Sequence, residues 1–252
     1  MIEELFGLSG RTAIVTGSST GLGQGISLAL SGAGANVVGV DYVKSTDTAK
    51  IIGERGGAFT EVVADLMTTA PIDGIIEKAV QTYGGLDILV NNAGIIRRED
   101  SLDFSEKNWD DVMAINAKMV FFFSQAAARV FKARGGGKII NIASMLSYQG
   151  GIRVPSYTAS KSAVKGITMT MANEWAKYNI NVNAIAPGYM ATNNTAALRA
   201  DGERSADILA RIPAGRWGTP QDVMGAAIFL ASRASDYVNG FTLAVDGGWL
   251  AR

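Results

Sequence analysis

Residues 12–23 read TAIVTGSSTGLG, and the fold turns on how this stretch is read. Thr12 to Thr16 run without a charged break into a glycine-rich turn, and a helical pattern follows from Leu22 to Ser31. A strand with no polar alternation is one covered on both faces. A strand that feeds a tight turn and then a helix is the first half of a β-α-β unit.

The alternation recurs along the chain. NVVGVD (36–41) precedes a helical stretch near 45–55, and FTEVVADL (59–66) precedes one from Pro71 to Tyr83. LDILVNNAG (86–94) and GKIINIAS (137–144) flank a long helical segment, with RGGGK (134–138) as the turn into the latter strand. INVNAIAPG (180–188) and FTLAVDGG (241–248) complete the set. Seven strands separated by helices predict an α/β fold of the doubly wound, Rossmann type, with a seven-stranded parallel sheet and right-handed crossovers. No linker, repeat or shift in composition divides the 252 residues, so one domain spanning 1–252 is expected.

Composition narrows the chemistry. The chain has 23 Lys and Arg against 23 Asp and Glu, so no basic excess points to nucleic acid. It contains no cysteine, which excludes disulfides and thiol nucleophiles, and no histidine, which excludes Ser-His-Asp triads and zinc-histidine sites; no metal is expected. The start MIEELFGLSG lacks the basic and apolar regions of a signal peptide. The longest apolar runs fall short of the ~20 residues of a membrane span. The expectation is a cytoplasmic protein with no membrane partner.

In the opening stretch Gly17, Gly21 and Gly23 are spaced G-x3-G-x-G. The spacing differs from the usual dinucleotide fingerprint, but glycines there allow the same close approach of a pyrophosphate to the next helix's N-terminus. An ordinary glycine-rich turn has the same appearance. Asp41 favours the nucleotide, because it ends the second strand about 20 residues on, where an acid binds the adenosine ribose. A carboxylate there repels a 2′-phosphate, so NAD is expected over NADP.

Without histidine, proton transfer needs another group. SYTASK (156–161) places Tyr157 and Lys161 four apart, on one face of a helix. NNAG (91–94) ends the fourth strand, NIAS ends the fifth at Ser144, and twelve residues separate Ser144 from Tyr157. Singly, these are a helix pair, a cap and a turn. Together, TG-x3-G-x-G, NNAG, S-x12-Y-x3-K and Pro187-Gly188 resemble the short-chain dehydrogenase/reductase family over nearly the whole chain.

That resemblance implies a catalytic tetrad. Tyr157 is the general acid or base, Ser144 binds the substrate oxygen, and Lys161 binds the nicotinamide ribose and lowers the Tyr157 pKa. Asn116, in AINAK, holds a water that relays protons to Lys161. A nearby ammonium and an oxidised nicotinamide both favour the phenolate, which fits those roles. The resemblance also implies cofactor contacts by Ser19 and Leu22 in the glycine loop, by Asp65 and Leu66 at the adenine, by Asn91, Ala93 and Gly94 along the cleft, and by Pro187, Gly188 and Thr192 at the nicotinamide. It implies a homotetramer as well. Ala159, Ala163 and Gly166 would let a neighbouring helix approach, and Trp249 suits either an interface or a core contact.

GIIRRED (94–100) and NEWAKYNINVNAIAPGYMATNNT (173–195) resemble members acting on keto sugar acids. Such a substrate carries a carboxylate, best held by an arginine pair of hydrogen bonds. Arg97, Arg98 and Arg153 are the candidates, with Arg153 favoured because it lies in the loop between Ser144 and Tyr157, and with Gln149 for a hydroxyl; surface charge or an interface salt bridge is the alternative for each.

Overall fold

The continuous apolar runs form strands whose side chains are buried on both faces. The computed structural model describes residues 1–252 and contains β1 (Thr12–Thr16), β2 (Asn36–Asp41), β3 (Phe59–Val63), β4 (Ile88–Asn91), β5 (Gly137–Ile142), β6 (Ile180–Pro187) and β7 (Thr242–Val245). They make one all-parallel sheet in the order β3-β2-β1-β4-β5-β6-β7. The expected runs extend past these ends by residues such as Asn92-Ala93-Gly94 and Asp246-Gly247-Gly248, which form the turns leaving the sheet.

The helices are α1 (Ile2–Phe6), α2 (Gly21–Gly32), α3 (Thr46–Glu54), α4 (Ile72–Tyr83), α5 (Glu106–Met113), α6 (Met119–Arg134), α7 (Pro155–Trp175), α8 (Ala196–Ala200), α9 (Gly202–Arg211) and α10 (Pro220–Ala231). One face of the sheet packs on α4, α6 and α7 through a core that includes Ile76, Phe123, Phe131 and Met171. The other packs on α2 and α10 through Ile26, Leu30, Val223 and Leu230. Each parallel crossover needs a helix on one face, so two covered faces follow from the alternation itself.

Local signals place the helix starts. Pro155 opens α7 and Pro220 opens α10, where a missing N–H costs nothing. Thr219 and Asp222 form a reciprocal capping box at α10, and Arg216 grips Asp222 through two hydrogen bonds of 2.8 and 2.7 Å.

β1 pairs with both β2 and β4, so the chain reverses its winding direction there. A crevice opens at that switch point, beyond the carboxyl ends of the strands. The site lies in it.

Candidate active site

The glycine loop leaves β1 into a crowded corner. Gly17 has φ +68°, a conformation that favours glycine. A Cβ on Gly23 would run into the Gly17 carbonyl and the Asn92 amide. Thr20, the N-cap of α2, makes no capping side-chain bond, so the first-turn amides of α2 remain available to an anion. Asp41 stands across the loop, accepting from the Ser19 N–H at 2.9 Å and the Tyr42 N–H at 2.7 Å.

Apart from Gly23, which packs behind the loop on Gly17 and Asn92 and off the cleft, these residues line one cleft of about 610 Å³. Gly17, Ser19, Gly21, Leu22 and Asp41 are at it, as are Asp65, Leu66, Ala93, Gly94, Tyr157, Lys161 and Thr192. The volume falls in the range of cofactor sites. Uncapped amides in the middle and a carboxylate at the β2 end suit a nicotinamide dinucleotide. The only basic residues on the wall are Arg97 and Lys161.

The structure reassigns Asn91. Its side chain is buried and donates to Ser124 Oγ and Asn141 Oδ1, so it ties β4 to α6 and β5 and does not line the cleft. The next residue, Asn92, lines the cleft instead and holds the glycine loop through the Thr16 and Gly17 carbonyls. Strand alternation gives the reason, since adjacent side chains point to opposite sides. Pro187 and Gly188 lie off this cleft as well; Gly188 packs against Asp246, where a Cβ would be 2.7 Å from the Asp246 Cα. Several wall residues were not foreseen, among them Thr20, Ile95, Ile142 and Asn194. They are loop and strand-end residues of no special chemistry, and only the folded chain brings them together.

Ser144 and Tyr157 meet as their spacing requires. Ser144 caps the short 3-10 turn Met145–Ser147, with its hydroxyl accepting from the Leu146 N–H at 3.1 Å. It also interacts with the Tyr157 hydroxyl. Burial raises the Tyr157 pKa; the Ser144 hydroxyl and, secondarily, the Arg98 guanidinium oppose that rise. Lys161 was expected to do the lowering. Its Nζ instead donates to the Ile142 carbonyl at 2.6 Å and sits 5.6 Å from the Tyr157 ring centre. Burial lowers the pKa of Lys161 itself to about 8. Desolvation therefore outweighs pair attraction in this arrangement.

Asn116 sits in a π turn, Ala114–Lys118, between α5 and α6. Such wide turns recur at functional sites. The Asn116 Oδ1 accepts from the Ile95 N–H at 2.9 Å, and its Nδ2 donates to the Ile95 carbonyl and to Ser160 Oγ. Both ends of the amide are thus committed to holding the β4 exit loop against α7.

The residues expected at the substrate divide. Arg97 pairs with Asp111 at 3.7 Å, and Arg153 pairs with Asp100 at 3.3 Å. Arg153 also has φ +62°, unusual for a residue with a side chain. Arg98 has no carboxylate partner; its Nη2 donates to the Asn194 carbonyl at 2.8 Å, at the cleft mouth. Gln149 uses its oxygen on Arg211 and Trp249. Trp249 is a contact inside the chain, 4 % exposed.

Comparison with known proteins identifies the family. Residues 17–250 match the family model described as enoyl-(acyl carrier protein) reductase. The chain is 65% identical to the 2-dehydro-3-deoxy-D-gluconate 5-dehydrogenase of Escherichia coli (strain K12), with 100% of each chain covered. It resembles the solved gluconate 5-dehydrogenase of Burkholderia cenocepacia, in complex with NADP and tartrate, at 41% identity and a TM-score of 0.95 over 100% of both chains. It also resembles a short-chain type dehydrogenase/reductase from Mycobacterium marinum at 34% identity and a TM-score of 0.92, again over 100% of both. With its motifs in order on an all-parallel sheet, the chain belongs to the short-chain dehydrogenase/reductase family, within the group that the enoyl-(acyl carrier protein) reductase model describes.

Proposed function

We propose that the whole chain, residues 1–252, is one catalytic unit that interconverts 2,5-diketo-3-deoxygluconate and 2-keto-3-deoxygluconate with NAD(H). The carrying observation is that Tyr157 and Lys161 line the same cleft as the glycine loop and Asp41, in a chain 65% identical to the E. coli dehydrogenase.

Ser19, Gly21 and the α2 amides would hold the pyrophosphate, and Asp41 would hold the adenosine ribose. When bound, the cofactor supplies or accepts the hydride. Tyr157 keeps a proton on its phenol oxygen and gives it to the substrate carbonyl oxygen during reduction. In oxidation the phenolate takes that proton back. Ser144 hydrogen-bonds the same substrate oxygen, and its interaction with the phenol supports the role. Lys161, whose Nζ donates to the Ile142 carbonyl, would hold the nicotinamide ribose and supply positive charge beside the phenol. Because the Asn116 amide is committed to Ile95 and Ser160, the main chain of its π turn is the group available to hold a relay water.

NAD is favoured because Asp41 puts negative charge where NADP carries its 2′-phosphate, and no Lys or Arg on the cleft wall lies at that end. The B. cenocepacia structure contains NADP, so the two cofactors must be compared directly. For the substrate carboxylate, Arg98 is the best-placed arginine. It is free of carboxylates, and its charge acts on the Tyr157 phenol.

A second reading, gluconate as substrate, is favoured by the match to the B. cenocepacia enzyme. A panel of keto sugar acids with NADH and NADPH in parallel separates the two. Turnover of 5-ketogluconate ahead of the deoxy diketo acid would favour the second, and NAD uptake with no turnover would make the chain a binding module.

The same reading carries a cytoplasmic homotetramer. No helix is long and apolar enough to cross a membrane. β7 leaves an open sheet edge, and beside it Phe241 is 56% exposed and Tyr237 fully exposed. Light scattering in solution tests the assembly.

A further inference from the structure

A small separate core lies behind Tyr157, next to the cleft. Met145, Leu146, Val154, Ile208, Ile212 and Trp249 are buried against one another, and none belongs to the sheet. They come from the turn after Ser144, the entry to α7, the end of α9 and the C-terminal turn. Tyr157 packs against this cluster.

Its polar centre is Gln149. The Gln149 Oε1 accepts from Trp249 Nε1 at 3.1 Å and from Arg211 Nη2 at 3.2 Å. The Arg211 guanidinium stands 4.1 Å over the Trp249 ring, and Tyr189 meets that ring edge-on at 4.9 Å. The tail is itself pinned. Asp246 accepts from the Gly248 and Leu250 amides, and Arg252 donates to the Ala210 carbonyl at 2.9 Å.

The helices beside this core have little else to hold them. α8 buries no residue, and α9 buries only Ile208, which lies in the cluster. Gln149, Arg211 and Trp249 are all absent from the cofactor cleft wall.

We infer that the C-terminal turn is a clasp: Trp249, gripped by Gln149 and Arg211, positions α9 and the turn after Ser144, and so shapes the substrate compartment beside Tyr157 independently of cofactor binding. The three are positioning residues, and the inference rests on the reading that substrate meets Tyr157. An indole N–H buried in an apolar cluster requires an acceptor, and Gln149 provides it. Removing Gln149 leaves the buried indole N–H unpaired, and removing Trp249 empties the centre of a core too small to absorb the loss.

The test compares Gln149→Leu, Trp249→Ala and the acceptor-retaining Gln149→Glu with the wild-type chain. Hydrogen exchange over 202–211, NADH affinity by fluorescence, and KM and kcat on whichever keto sugar acid the wild type reduces are measured for each. Gln149→Leu and Trp249→Ala should speed exchange in α9 at least tenfold and raise the substrate KM at least tenfold. NADH affinity should stay within twofold, and Gln149→Glu should restore most of both losses. Unchanged exchange and KM in Gln149→Leu would overturn the clasp, as would NADH affinity falling in step with KM. Should Trp249→Ala fail to fold, Gln149→Leu still decides. If no sugar acid is reduced by the wild type, the proposed function fails, while exchange and NADH binding still judge the clasp.

Discussion

The Lys161 ammonium lies 5.6 Å from the centre of the Tyr157 ring and bonds the Ile142 carbonyl at 2.6 Å. The two groups stand together on the cleft wall, and burial pushes each toward its neutral form. A phenol held protonated is a competent acid for reduction. Tyr157→Phe should lower kcat by about a hundredfold or more, the usual range for losing a general acid. NADH binding should persist, measured by fluorescence titration. Full activity in this variant would remove Tyr157 from the mechanism.

Burial of Lys161 has a stability consequence whose sign can be worked out. Its folded pKa of about 8 lies below the ordinary 10.5. Between those values the unfolded chain binds more protons, so stability rises with pH through that window and is flat below about 8. The gap corresponds to roughly 3 kcal/mol of penalty at neutral pH. Tyr157 acts oppositely: its raised pKa makes the native state lose stability as pH climbs above its unfolded value, about 10. Lys161→Met should be inactive yet no less stable than wild type at pH 7. The wild type should gain on it between pH 8 and 10, as followed by urea denaturation.

Asp41 makes a cofactor prediction. Wild type should show a higher kcat/KM with NADH than with NADPH. Asp41→Ala should narrow the ratio by about tenfold or more, because a close pair of like charges costs on the order of 1 kcal/mol or above even when well solvated. Initial rates with both cofactors check this, and a wild type faster with NADPH would contradict it.

Of the three arginines, Arg98 should matter most to substrate. A hydrogen-bonded charge pair contributes about 1.5–3 kcal/mol. Arg98→Ala should therefore raise the sugar-acid KM roughly tenfold to a hundredfold, with little change for NADH. Arg153→Ala, which removes an exposed pair with Asp100, should stay within about threefold. The reverse order would move the carboxylate site to Arg153.

Asp222 is held well below the ordinary carboxylate range by Arg216 and by the Thr219 amide. Its stabilisation is present above the unfolded value of about 3.9 and is lost as pH falls. Asp222→Asn should cost about 1 kcal/mol at pH 7, the size of a lost helix cap, and the cost should begin to shrink only below about pH 4, with most of it still present at pH 3. Denaturation at both pH values measures the difference.

The sheet, its parallel sense and the glycine loop were legible in the sequence because they follow from local repetition. Apolar runs alternating with helical periods leave few ways to bury both, and Gly17 and Asp41 sit where strands end while Gly21 opens the next helix. The S-x12-Y-x3-K spacing likewise identified Ser144, Tyr157 and Lys161 as neighbours. Side-chain direction was harder to read: NNAG pointed to Asn91, while the pleat turns Asn92 to the cleft.

What the sequence by itself determined was the set of elements and the chemistry they carry, since both depend on residues close together in the chain. Tertiary structure alone decided which groups were already engaged. Arg153 meets Asp100, Gln149 meets Arg211 and Trp249, and Lys161 turns to Ile142. Burial and pairing are properties of what surrounds a side chain, and those surroundings come from distant segments that only the folded sheet brings together.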